Sequence, residues 1–195
     1  MKSTFQKLFL SLNFLLLVAA SCLTPTTAVA GDAPRVSRNI LATTEKSIDE
    51  RIMRLWNDNP LVLLGSTRGI YLDGYGAVLS AEVNLVNGPP VAFVQPVPNA
   101  KQVAEHKAKK LQRLPELKNM LRQAMMDTAA SLDPIPAEEQ IVLVMFLSRY
   151  PWEDTGGLPV QVMMRAQKKQ LLEIQRSTGA AKEAALQTAI QVTEF

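Results

Sequence analysis

The chain has 195 residues, enough for one domain or two small ones. Its 21 Lys and Arg face 18 Asp and Glu, and without Lys2 and Lys7, which fall in a removable leader, about one net positive charge is left on residues 31–195. Such a surface lacks the basic stripe of a nucleic-acid binder, while one Cys (Cys22) and one His (His106) exclude disulfide frameworks, zinc sites, CxxC redox centres and His-based triads.

Residues 1–30 read as a secretory signal peptide. Lys2 and Lys7 precede an uncharged apolar run, 8–20, too short for a stable anchor, and Ala28-Val29-Ala30 presents small residues where signal peptidase cuts, before Gly31. Ala19-Ala20-Ser21-Cys22 is a partial lipobox, so a lipoprotein anchored at Cys22 is the minority alternative. No later stretch is apolar for long enough to span a membrane, and the expected location is periplasmic or extracellular.

Residues 31–43 have no clear period and read as a flexible lead-in to a single domain over 44–195. A first helix is expected behind a capping box of Ser47 and Glu50, with Ile48, Ile52, Leu55 and Trp56 on one stripe and an end at Asn57-Asp58-Asn59-Pro60. From Leu61 to Val94 the pattern turns to strands: LVLLG, GIYLD, AVLSAEVNLV and VAFV, with tight connections at Gly74-Tyr75-Gly76 and Asn87-Gly88-Pro89-Pro90. In the third run Leu79, Ala81, Val83 and Leu85 alternate with Val78, Ser80, Glu82 and Asn84, one buried face and one wet. Residues 99–131 should be helical, capped by Asn99 and broken or kinked near Pro115. IVLVMFLS (141–148) reads as the central strand, VQVMMRA (160–166) as its partner, two short helices near 167–176 and 180–188 follow, and IQVTEF ends the chain as an edge strand. The fold class is α+β: a mainly antiparallel sheet covered on one face by helices.

Chemistry-bearing residues are few. GSTRG (65–69) is not the G-x-S-x-G nucleophile elbow, and a turn between two strands with Arg68 exposed accounts for it. His106 shares a helix face with Lys109, Lys110 and Arg113, which reads as solvated. Two loops gather rings and charges: 71–76, with Tyr71, Asp73 and Tyr75, and 149–157, with Arg149, Trp152, Glu153 and Asp154. With Arg68 these are the candidate ligand-binding residues; no catalytic, metal or cofactor role is assigned. The expectation is a non-catalytic binding or interaction module of a bacterial envelope, its partner a protein, peptide or glycan component. The alternative is an envelope hydrolase using carboxylates of the two loops, such as Asp73 with Glu153.

Overall fold

Five strands and four helices make up a computed structural model that describes residues 36–56, 62–88 and 98–195. The signal peptide, the Asn57–Pro60 helix end and the VAFV run lie outside the described residues. In chain order the elements are α1 (Arg38–Arg54), β1 (Val62–Leu72), β2 (Gly76–Asn84), α2 (Ala100–Ser131), β3 (Gln140–Leu147), β4 (Gln161–Gln167), α3 (Lys168–Gln175), α4 (Gly179–Ala189) and β5 (Gln191–Glu194). The strands lie side by side in sequence order, so β3 is central, as its unbroken apolar run predicts.

Three strand pairs are antiparallel and one, β2 with β3, is parallel. A parallel neighbour needs a crossover, and the 32-residue α2 supplies it. The sheet is therefore mixed but mostly antiparallel. Ala77, Leu79, Ala81 and Val83 pair with Ile141, Leu143, Met145 and Leu147, and all eight are buried in one core with Leu117, Leu121 and Met125 of α2 and Ile48 and Ile52 of α1. The opposite face carries Glu82, Phe146 and Arg165, all exposed, whereas Asn84, expected on this wet face, is buried, its Oδ1 accepting from Val86 N at 3.3 Å.

Four local expectations are corrected. Helix α1 starts at Arg38 with Ser37 as its cap, so residues 38–43 are helical and Ser47 lies within the helix. Its first turn places Leu41 in the core, and Glu45 meets the guanidinium of Arg38 and the backbone N–H of Gly69. GSTRG is not a turn but part of one eleven-residue strand, with register shifts on both sides of Gly65. β1 is an edge strand, and α1 takes up its spare backbone donors: Asp49 Oδ1 accepts from Thr67 N, within the irregular stretch, at 2.8 Å, and Glu45 Oε1 from Gly69 N, just past it, at 2.6 Å. Helix α2 runs unbroken through Pro115, which lies on the exposed side, as does Leu111, whose carbonyl loses its helical donor there. Finally, Trp56 is not a core residue. It is half-buried, sits at φ 63° and lies under the Arg113 guanidinium, 4.4 Å from its ring centre.

Asn99 caps α2 as expected, and Gln102 completes a reciprocal capping box with it. At the other end of α2, Lys168 is buried and donates to the carbonyls of Leu132, Asp133 and Ile135, a cation placed where helix carbonyls run out of partners.

Candidate functional site

The two loops singled out in the sequence lie at opposite ends of β3. Loop 71–76 adjoins Gln140, through the pairing of Gly76 with Gln140, and loop 149–157 follows Leu147. Seven rises of about 3.3 Å separate those ends, about 23 Å. Asp73 and Glu153 therefore do not form the pair considered above. Arg68, exposed on β1 opposite Ser80, belongs to neither cluster.

At the far end, the 148–158 segment folds over the N-terminal half of α2. Glu153, 2% exposed, accepts from Lys110 Nζ at 2.5 Å and lies 3.0 Å from His106 Nε2, with those side chains 3% and 9% exposed. Lys110 and Arg113 are buried and the His106 side chain is largely so, contrary to the solvated face expected for them; the loop covers His106 and Lys110, while Arg113 lies over Trp56 and donates to Leu85 O at 2.7 Å. Burial lowers the pKa of His106, outweighing the opposing pull of Glu153, and burial likewise lowers that of Lys110. The neutral imidazole then donates from Nε2 to the carboxylate. Trp152 is half-buried, 4.8 Å from the His106 ring and stacked on Tyr150 at 5.5 Å and 4°.

Every other charged group of this loop is engaged by the protein itself. Arg149 donates to Leu158 O at 2.7 Å, and Asp154 accepts from Lys107 at 2.8 Å and from Gly156 N at 2.9 Å; the Lys107 bond holds the Asp154 carboxyl below its ordinary range. Tyr150 Oη accepts from Gly88 N at 3.0 Å. The cluster is a latch joining loop to helix.

The turn end of the sheet is built differently. Tyr71 Oη lies 3.3 Å from both Asp73 Oδ1 and Glu139 Oε1, which also accepts from Gly74 N at 3.1 Å. Glu139 is buried, its Oε2 has no hydrogen-bond partner among the described residues, and burial followed by the Glu139 contact raises the Tyr71 pKa. Beside this cluster lies an open groove of about 430 Å³, walled by Tyr75, Gln140, Arg165, Gln167, Gln170 and Gln191. Tyr75 is 43% exposed. Arg165 Nε donates to Gln191 Oε1 at 2.7 Å, whereas the side-chain amides of Gln140, Gln167 and Gln170 make no hydrogen bond within the described chain.

Of the expected site residues, the fold brings Tyr71, Asp73 and Tyr75 to this end and Arg149, Trp152, Glu153 and Asp154 to the other. Sequence reasoning missed Glu139 and the glutamines. Tyr71 and Glu139 are 68 residues apart, and the glutamines come from three strands and a helix, so only strand pairing joins them. Among the described residues no group of three or more His, Cys, Asp or Glu is arranged to hold a metal ion, and no helix is long and apolar enough to cross a membrane. Compared with protein-family models, curated proteins and solved structures, the chain has no significant match to any of them.

Proposed function

We propose that this is an exported protein of the bacterial envelope that works as a non-catalytic binding module, its ligand seated in the groove at the turn end of the sheet. The observation that carries this reading is the contrast between the two ends. The 149–157 loop spends its charged groups on the fold, whereas the groove keeps three amides and an aromatic ring for something else. The export part rests on Lys2, Lys7, the apolar run and Ala28-Val29-Ala30.

Cosedimentation with purified envelope fractions tests it. The wild-type protein should pellet with an envelope component, and the Tyr75→Ala/Gln170→Ala variant, which changes only exposed side chains, should stay in the supernatant. Equal pelleting of both, or of neither, overturns the groove as the site. Intact mass of the exported protein tests the leader: a chain starting at Gly31 is expected, and a lipidated Cys22 at the N-terminus overturns simple cleavage.

The hydrolase reading keeps one support. It moves from the two-loop pair to Asp73 and Glu139, whose Oδ1 and Oε1 each lie 3.3 Å from the Tyr71 hydroxyl and so are close enough to act on one substrate. If it holds, Glu139→Gln abolishes turnover of an envelope glycan while leaving binding intact.

A further inference from the structure

We infer that the groove takes an uncharged saccharide unit, stacked on Tyr75 and held by the amides of Gln140, Gln167 and Gln170. This rests on the binding-module reading and names its ligand class. The groove lining decides the class by what it offers and what it lacks. No carboxylate lines the groove, so an ammonium group or a metal cation finds no counter-charge there. Among the described lining residues Arg165 is the one cation, it already spends its Nε–H on Gln191, and no second positive group stands beside it for a phosphate or a dicarboxylate. The lining is also short of apolar surface: beyond Tyr75 its apolar residues are only Ala189 and Ala166, the latter buried in the core, too little for a lipid chain or a large hydrophobic side chain.

What the lining does offer is side chains that each carry both a donor and an acceptor. Each glutamine amide presents a carbonyl and an NH₂, and a sugar hydroxyl both donates and accepts, so one amide satisfies one hydroxyl in both senses. The apolar face of a pyranose ring then needs a flat partner, and Tyr75 presents an exposed ring at the groove wall. A groove of about 430 Å³ lies within the range of small-ligand sites and suits one or two sugar rings. Its platform is firm: Gln140 N donates to Tyr75 O at 2.8 Å, tying the turn to the central strand, and Gln140 pairs with Gln167 across β3 and β4.

Titration calorimetry with four probes tests the inference on the mature chain: chitobiose and cellobiose as neutral disaccharides, glucuronic acid as an anionic sugar, and trialanine as a peptide. At least one neutral disaccharide should bind, and Tyr75→Ala should weaken it about tenfold. Tyr75→Phe should retain affinity, because the ring stays, and Gln170→Ala should weaken binding without moving the melting temperature. Binding of trialanine or of glucuronic acid alone in place of the neutral sugars, or of no probe while pelleting with envelope fractions still depends on Tyr75, overturns the uncharged-saccharide class and leaves the binding-module reading standing. Sugar binding indifferent to Tyr75→Ala and Gln170→Ala overturns the groove as its seat. If none of the four probes binds and wild-type and variant proteins behave alike toward envelope fractions, both readings fall.

Discussion

Lys110 Nζ sits 2.5 Å from Glu153 Oε2, with both side chains almost wholly withdrawn from water. The pair joins the N-terminal half of α2 to the loop after the central strand, and neither charge has solvent to fall back on. Glu153→Gln should therefore cost about 3–5 kcal/mol, the penalty for stranding a buried charge. The double change Lys110→Met/Glu153→Leu, which removes both charges at similar volume, should recover most of that loss. Urea melts of the single and double variants read this directly; a loss below about 1 kcal/mol for Glu153→Gln shows that the loop is not latched.

His106 in the same cluster makes stability depend on pH. Its folded pKa lies below its ordinary 6.5 because burial outweighs the attraction of Glu153, and Lys110 and Lys109 push the same way as burial. Between the folded value and 6.5 the unfolded chain binds a proton that the folded chain does not. Stability is therefore full above about pH 6.5 and falls on acidification, by at most about 1.4 kcal/mol per pH unit. The urea midpoint should drop between pH 7.5 and 5.5 in the wild type, and His106→Gln should flatten that drop. Trp152 fluorescence should report the same titration, since the rings lie 4.8 Å apart. Glu45, whose pKa is lowered by Arg38, adds a separate loss only below about pH 4.5.

Trp56 and Trp152 are both half-buried, for different reasons. Trp152→Ala removes a ring packed between Tyr150 and His106 and should cost about 1–2 kcal/mol, between a surface change and the 3–5 of a core tryptophan. Trp56 occupies the left-handed region at φ 63°, where a Cβ is unfavourable by about 1 kcal/mol. Trp56→Gly should therefore be the more stable of Trp56→Gly and Trp56→Ala, and thermal melts giving the reverse order would falsify the strain assignment.

Two turn glycines should respond very differently to alanine. At Gly76, φ is 131° and a Cβ would stand 1.9 Å from the carbonyl oxygen of Gln140, which is backbone and cannot yield. Gly76→Ala should cost more than about 3 kcal/mol or prevent folding. At Gly74, φ is 75° and the space is open, so Gly74→Ala should cost only about 1 kcal/mol. Equal effects in chemical denaturation would mean that the close approach of Gly76 to β3 is not tight.

Much of the architecture was legible locally. Alternation in 77–85 gave β2 its two faces, the apolar run of 141–147 marked the central strand, and Asn99 announced the start of α2, because these signals depend on period and on a cap. The bulge at 65–68 reads as a turn in sequence because Gly, Ser and Thr suit both, and what favours the bulge is Asp49 of α1, which accepts from both the backbone N–H and the hydroxyl of Thr67. The start of α1 is hidden because its cap, Ser37, has Ile40 three residues on and no acidic partner, while Ser47 and Glu50 spell a capping box inside the helix.

By itself, then, the sequence determined the period of each element, the α+β class, the scarcity of Cys and His chemistry, and the expected leader. Tertiary structure alone decided which polar groups are spent and which are spare. His106 and Lys110 look wet along their own helix and become buried only when Glu153 arrives from 43 residues away, at Lys110, in the chain. Tyr71 meets Glu139, and four glutamines from β3, β4, α3 and β5 line one groove, only because strand pairing overrides sequence distance. The physical reason is that periodicity records whether a side chain faces its own element's apolar stripe, whereas desolvation and hydrogen bonding depend on what the rest of the chain places opposite it.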